Sequence, residues 1–210
     1  MIRAAARGHF PPVDGGVEVV PPYLDGVEAV VCFTGHTVVA TRLDVAQLVA
    51  WGADGFGGAV LPGPLLGLRG PRGELDVEDM LMVCEGTGSQ ETGSQAAQAT
   101  EPNSLLVDHV RVRHALRWRA QVRSFGTEQA LFTLAVGLGG LPELSYQVAP
   151  SERARGIGRE LLRRALDLVP EGQTVLAAAA PGNAASIRAL LASGFVPIGS
   201  VQLIRPGRVD

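Results

Sequence analysis

Cysteine is scarce in this chain. Cys32 and Cys84 are the two cysteines among 210 residues, and neither belongs to a C-x-x-C motif or lies near a pair of histidines. Disulfide frameworks and zinc sites depend on closely spaced groups of such residues. The sequence therefore favours a reducing compartment, and it supports neither a disulfide scaffold nor a metal site.

Excess charge and long apolar runs are missing as well. Charged residues make up 19% of the chain and the net charge is −3, so no strong field favours nucleic acid or a membrane surface. No uncharged run reaches the roughly 18 residues that a membrane helix needs, and the start, MIRAAARGHFPP, has no apolar signal-peptide core. We therefore expect a cytoplasmic protein that binds neither nucleic acid nor membranes.

One segment in the middle of the chain has few large apolar residues. In residues 86–102 (GTGSQETGSQAAQATEP), small and polar residues dominate and the fragment TGSQ occurs twice. Because such a segment cannot bury a face, we predict a flexible linker or long loop. It divides the chain into an N-terminal α+β extension at 1–85 and a C-terminal domain at 103–210, within the one or two domains that the length favours.

The extension carries β-rich runs but no catalytic pattern. Residues 26–41 contain two such runs around a Thr-Gly-His turn and predict a hairpin, and residues 43–51 predict a short helix. Residues 77–84 predict a strand. This strand belongs either to the extension or to the C-terminal domain, as its first strand, with residues 86–102 as an insertion.

Helical and alternating patterns follow one another after the linker. β-rich runs at 120–125, 129–138 and 144–148 predict an antiparallel meander. A helix at 107–118 is expected before it, and a helix at 158–169, a strand at 174–180, a helix at 183–193 and a β stretch at 195–204 after it. The apolar residues of the second helix share one face: Leu161, Leu162, Ala165, Leu166 and Val169.

The turn at 148–162 (VAPSERARGIGRELL) carries the clearest chemical signal. A strand stops at Pro150, and Gly156 and Gly158 lie where the next helix begins. Free backbone N–H groups at a helix start, next to residues without a β-carbon, form a donor surface that suits a diphosphate. The spacing excludes GxxxxGK[ST] and lacks the third glycine of GxGxxG. A tight turn with no ligand is the alternative.

Two motifs in this half resemble those of the GNAT superfamily of N-acetyltransferases. Residues 153–158 (RARGIG) match the pattern Q/R-x-x-G-x-G/A, and residues 183–186 (NAAS) followed by Gly194-Phe195 match a second motif. The resemblance covers residues 103–210. It implies an α/β (α+β) fold with a mixed, largely antiparallel sheet flanked by helices, in addition to the N-terminal α+β extension.

The resemblance also implies a cofactor site. In the superfamily two parallel strands splay apart and admit the pantetheine arm of acetyl-CoA; in this chain these strands would be 144–148 and 174–180. No metal is implied. The residues that would bind acetyl-CoA are the backbone of Val148, then Arg153, Arg155, Gly156, Ile157, Gly158, Arg159, Asn183 and Ser186. Arg153 and Arg155 are alternatively solvated surface residues, and Asn183 is also a candidate helix cap.

Catalytic residues follow less directly from the sequence. Glu143 lies near the position of a carboxylate base in relatives, and it would accept the amine proton through a water. Leu190 stands where relatives carry a tyrosine acid. Three possibilities follow. The thiolate of CoA leaves unassisted, because a thiol has a pKa of only about 8.5; Tyr146 donates a proton to it; or the domain has lost catalysis.

The expected activity is acetyl transfer from acetyl-CoA to a primary amine, by direct attack in a ternary complex. A non-catalytic acyl-CoA sensor or binding module is the alternative, and a third hypothesis gives the biological role to the extension. The acceptor is open, because it depends on variable loops. The oligomeric state is open too, and a homodimer remains one of the options.

Overall fold

The structure, a computed structural model, describes residues 1–88 and 102–207. The chain divides into two compact units: unit 1 is Met1–Leu81 with Ile198–Asp210, and unit 2 is Met82–Pro197. Most of the predicted linker, residues 89–101, lies outside the described residues. The domain boundaries inferred from the sequence stay a prediction.

Short helices and strands make up much of the described part of the chain. In chain order they are α1 (Ile2–Ala5), β1 (Gly16–Val20), β2 (Glu28–Phe33), β3 (His36–Ala40), α2 (Val45–Ala50), α3 (Pro62–Arg69), β4 (Glu74–Leu75), β5 (Asp79–Glu85), α4 (Val110–Trp118), β6 (Ala120–Gly126), β7 (Ala130–Val136), β8 (Pro142–Val148), α5 (Ile157–Asp167), β9 (Thr174–Ala179), α6 (Ala184–Ala192) and β10 (Val196–Arg205). The chain passes from unit 1 to unit 2 within β5 and returns to unit 1 within β10.

Unit 1 is built around the hairpin of β2 and β3. Its strands lie in the order β1-β3-β2-β10, with β1 parallel to β3 and with β2 antiparallel to both β3 and β10. The predicted hairpin is confirmed; its turn places Gly35 at φ 68°, a conformation that glycine adopts without steric cost. Val30 and Val39 pack against Leu48 and Leu68, so helices α2 and α3 cover one face of the sheet.

Unit 2 contains the predicted meander. Its strands lie in the order β5-β9-β8-β7-β6; β6, β7 and β8 are antiparallel, and β9 is parallel to β8. This confirms the fold class, a mixed and largely antiparallel sheet flanked by helices. β5 lies beside β9, at the opposite end of this strand order from β6. The sequence predicted the strand but left its position in the sheet open.

The two faces of β8 carry different side chains because successive residues of a strand alternate. Leu144, Tyr146 and Val148 face α5, since a β-carbon on Gly158 of α5 would lie 3.3 Å from the Tyr146 ring. Glu143 faces α4, where it forms an ion pair with Arg119, the residue after the helix. Tyr146 and Glu143 are therefore on opposite faces of the sheet.

Helix α4 begins later than the sequence predicted. The pattern predicted a helix over 107–118, whereas a 3-10 turn occupies Ser104–Leu106 and the α-helix starts at Val110. The reason is a cap: Nδ1 of His109 accepts a hydrogen bond from the backbone N–H of Arg111 at 3.1 Å. The helix ends at Trp118, as predicted, and β6 starts at Ala120.

Helix α5 should contribute to stability through its buried stripe. Leu162 is fully buried, whereas Leu191 on α6 is 49% exposed. We expect Leu162→Ala to lower the free energy of unfolding by about 2–5 kcal/mol because it leaves a cavity, and Leu191→Ala to change it by less than about 0.5 kcal/mol. Urea unfolding measures both; equal effects of the two variants would contradict the buried stripe.

Candidate functional site

The connection from β8 to α5 has an unusual backbone. After a 3-10 turn at Pro150–Glu152, Ala154 adopts φ 61° and Gly156, the N-cap of α5, adopts φ 81°. Residues with a β-carbon rarely occupy this left-handed region, so Ala154 is strained. The two left-handed residues bracket Arg155 and curl the backbone at the start of the helix.

This curled segment presents a row of hydrogen-bond donors. The N–H of Glu160 bonds to the carbonyl of Gly156 at 3.2 Å, the first bond of the helix. The six preceding N–H groups, of residues 154–159, meet no acceptor among the described residues, and no side chain caps α5. Because the helix dipole adds partial positive charge at this end, the segment suits an anion with several oxygens. We call residues 154–159 the amide cradle.

Strands β8 and β9 separate close to the cradle. They pair at Glu143↔Leu176 and Leu144↔Ala177, and the described residues form no later rung, although β8 continues to Val148 and β9 to Ala179. Alanines occupy 177–179, so β9 brings no large side chain to the opening. The gap and the cradle both lie at the carboxyl end of β8, a common place for ligands in sheets with parallel strands.

Three elements meet at Tyr146, beside the gap. Its hydroxyl donates a long hydrogen bond of 3.5 Å to the carbonyl of Ser186 on α6, and its ring lies against Gly158 on α5. Asn183 caps α6 by accepting a hydrogen bond from the N–H of Ser186 at 3.2 Å. Partial burial raises the pKa of Tyr146. The hydroxyl therefore stays protonated near neutral pH and is a donor.

The arginines of the predicted site take different positions. Arg153 Nε donates to the carbonyl of Val148 at 3.2 Å, which holds its side chain at the end of β8. Arg155 forms an ion pair of 2.8 Å with Glu152 on the surface, and Arg159 is exposed on the first turn of α5. The cradle itself is built from backbone atoms, so these side chains border it.

Glu143 is not brought together with the other predicted residues. It is buried on the α4 face of β8, where one carboxylate oxygen pairs with the guanidinium of Arg119, and both side chains are less than a tenth exposed. Sequence patterns did not predict this contact. The signal that the sequence offers is position, because Arg119 lies directly between the end of α4 and the start of β6.

A second polar contact on this face is also absent from the sequence-based expectations. Thr133 on β7 and Ser145 on β8 are register partners, and their hydroxyl oxygens lie 2.7 Å apart. Thr133 is fully buried, so the contact satisfies a hydroxyl that would otherwise have no partner in the core.

Metal centres and membrane spans find no support in residues 1–88 and 102–207. In these ranges no group of three or more His, Cys, Asp or Glu side chains could hold a metal ion. In the same part of the chain, no helix combines the length and the apolar character needed to cross a membrane.

Comparison with known proteins gives structural matches only. No protein-family model and no curated protein matches the sequence. An acetyltransferase of the GNAT family from Colwellia psychrerythraea is 14% identical, with 62% of this chain and 56% of that chain covered, at a TM-score of 0.36. A GCN5-related N-acetyltransferase from Kribbella flavida is 13% identical, with coverage of 65% and 61%, at a TM-score of 0.37.

A further match has no assigned activity. It is a functionally unknown conserved protein from Staphylococcus epidermidis, 13% identical, with 71% of this chain and 69% of that chain covered, at a TM-score of 0.41. The chain spans less than two thirds of the length of both acetyltransferases, 56% and 61%. At these identities and TM-scores the likeness carries no argument about activity, cofactor or acceptor.

The Arg119–Glu143 pair can be tested as a structural contact. Arg119→Ala leaves a buried carboxylate without its cation, so we expect the free energy of unfolding to fall by about 3–5 kcal/mol. The double variant Arg119→Met/Glu143→Leu removes both charges and should lose much less. Urea unfolding followed by circular dichroism measures both. A double variant as unstable as the single one would contradict this view of the pair.

Proposed function

We propose that the chain is an N-acetyltransferase, which transfers an acetyl group from acetyl-CoA to a primary amine of a small molecule or a protein in the cytoplasm. The observation that carries the proposal is the amide cradle, six consecutive N–H groups without an acceptor among the described residues. The motifs at 153–158 and 183–186 support it from the sequence.

The donors of the cradle fit a diphosphate. Two linked phosphates offer several anionic oxygens, and hydrogen bonds from N–H to such oxygens are about twice as strong as those between neutral groups. Backbone donors of Arg155, Gly156, Ile157, Gly158 and Arg159 would hold the phosphates. A β-carbon at Gly158 would lie 3.3 Å from the Tyr146 ring, so glycine at this position lets the first turn of α5 pack closely against β8 beside the cradle.

The gap between β8 and β9 fits an amide-bearing arm. Where the strands no longer pair, the β8 backbone beyond Leu144 can bond to a ligand in place of β9. The Val148 carbonyl, at the end of β8, accepts a hydrogen bond from Arg153 Nε, and a carbonyl oxygen has a second lone pair for a ligand donor. Asn183 and Ser186, at the start of α6, would border the arm on its other side. Bound acetyl-CoA would supply the acetyl thioester.

Tyr146 is the proposed proton donor to the departing thiolate. Leu190, which stands at the position of the usual tyrosine, is buried in α6 and has no hydroxyl. Ser186 and Leu190 are four residues apart and share a face of α6. The Tyr146 hydroxyl contacts the carbonyl of Ser186, so it reaches the α6 surface about one turn from Leu190.

Glu143 is the proposed base, acting through a water. One of its oxygens pairs with Arg119, while Oε2 is buried and has no hydrogen-bond partner among the described residues, so proton transfer from the amine requires a water that enters this face. Most of the rate enhancement would come from positioning, since holding the amine against the thioester removes much of the entropic cost. Glu143 and Tyr146 would then act from opposite faces of β8.

A non-catalytic acyl-CoA-binding module is the second candidate. Two observations favour it: Leu190 provides no acid, and Glu143 is enclosed in an ion pair. This candidate shares the cradle and the gap with the enzyme, but needs neither a proton donor nor an acceptor site. Turnover therefore separates the two functions.

The cradle is tested by a matched pair of glycine variants. Gly156 and Gly172 have φ of 81° and 74°, and a β-carbon on either would meet no atom within 4 Å. Each alanine variant should therefore cost about 1–2 kcal/mol of stability through backbone strain alone. Only Gly156→Ala should weaken coenzyme A binding, by about tenfold or more, because it disturbs charge-assisted hydrogen bonds.

Isothermal titration calorimetry on the full chain measures this binding. Equal affinities for Gly156→Ala, Gly172→Ala and the unchanged chain, or no heat of binding in any of them, would refute the cradle as the cofactor site.

Tyr146 is tested by turnover. We expect thiol release from acetyl-CoA in the presence of a panel of primary amines, and we expect Tyr146→Phe to lower kcat by about 10²-fold or more with little change in the affinity for coenzyme A. Full binding without thiol release across the panel would favour the binding module. An unchanged kcat in Tyr146→Phe would show that the thiolate leaves without this donor.

A further inference from the structure

A second concave site lies in unit 2, apart from the amide cradle. Its volume is about 470 Å³, within the range of small-molecule sites, and it is bounded by β6, β7 and the loop from α5 to β9. That loop follows the C-terminal end of α5, whereas the cradle lies at the N-terminal end. An 11-residue helix is about 16 Å long, so the two sites are separated by the length of α5.

The lining of this cavity combines an apolar wall with a few polar groups. The apolar part is formed mainly by Val122, Leu134, Val136, Leu168 and Val169. The polar side chains are Gln121, Arg123 and Gln173; among the described residues that line the cavity, Arg123 is the charged one. The polar and apolar parts of the lining expose similar amounts of surface, so a ligand for this open site needs both an apolar body and a polar head group.

The backbone of β6 is distorted beside the cavity. The register between β6 and β7 shifts between Ala120 and Arg123, and Gln121 adopts φ 50°. Such bulges re-aim side chains and are frequent next to binding sites. A residue with a β-carbon keeps a left-handed conformation only where its surroundings impose it, and such residues are concentrated at functional sites. The distortion of β6 is therefore a second observation, independent of the cavity's shape, that indicates a binding site.

Arg123 is a solvent-exposed residue that contributes a positive charge to the lining of the cavity. Its guanidinium lies 5.8 Å from the centroid of the Phe125 ring, which supports the side chain in a cation–π contact. No described residue forms an ion pair or hydrogen bond with the Arg123 side chain. A cation next to apolar walls attracts an anion, and the planar guanidinium matches a carboxylate with two parallel hydrogen bonds.

We propose that this cavity binds a small carboxylate with an apolar body. The carboxylate pairs with Arg123, and the body lies against Leu134, Val136 and the loop after α5. The proposal is independent of acetyl transfer, because it uses no residue of the cradle, of the gap or of the Tyr146 contact.

Octanoate, 1-octanol and octylamine form a matched set of probes, since they share the chain and differ in the charge of the head group. We expect octanoate to bind the full chain in calorimetry, and the alcohol and the amine to bind about tenfold more weakly or not at all. Arg123→Gln should lower the affinity for octanoate by about tenfold or more. Arg113→Gln, an exposed arginine of α4 outside the cavity, is the control and should leave it unchanged.

Coenzyme A binding is measured in the same variants. It checks that they are folded, and it tests the proposed cofactor site separately from the octanoate site. We expect Arg123→Gln to bind coenzyme A like the unchanged chain. The proposal is overturned if octanol binds as tightly as octanoate, if Arg123→Gln and Arg113→Gln have the same effect, or if octanoate gives no heat with a chain whose thermal unfolding is normal. A chain that binds octanoate but not coenzyme A would contradict the proposed cofactor site and leave this one supported.

Discussion

Backbone N–H groups at the start of a helix must find acceptors, and this requirement organises the candidate site. In α2, α4 and α6, the side chains of Asp44, His109 and Asn183 each accept one hydrogen bond from the first turn, whereas α1, α3 and α5 have no side-chain cap. Helix α5 begins at a glycine, which has no side chain to offer. Its donors are thereby left for water or for a ligand, and the left-handed Ala154 extends the row into the loop.

The separation of β8 and β9 depends on the same connection. A chain that leaves β8, turns through 149–156 and enters α5 carries the helix over the face of Tyr146, while β9 returns with small side chains. The strands meet at Leu144↔Ala177 and then diverge, so the gap opens toward the donors. A ligand that carries both phosphates and amides would thus find hydrogen-bond partners along one continuous backbone segment, from β8 to the start of α5.

Local signals predicted much of this unit. The meander followed from period-two runs between turn residues, and the buried stripe of α5 from apolar residues at helical spacing. The Arg119–Glu143 pair could not be predicted, because the face of a strand residue changes with a shift of one position. The place of β5 beside β9 depends on long-range pairing, which a segment of β-rich residues does not specify. Sequence patterns thus predicted individual helices and strands, whereas the contacts between distant elements are visible only in the folded structure.

Under the proposed function, Tyr146 would supply the proton for which Leu190 has no hydroxyl. Proton transfer requires a donor atom within hydrogen-bond reach, whether that atom belongs to a helix or to a strand. Position 190 is apolar and buried, so α6 contributes packing there. The Tyr146 side chain extends from β8 to α6, where its hydroxyl contacts the carbonyl of Ser186. Burial raises the pKa of Tyr146, so the hydroxyl is protonated near neutral pH. If the proposed function is correct, this strand residue would act as the proton donor at the α6 surface.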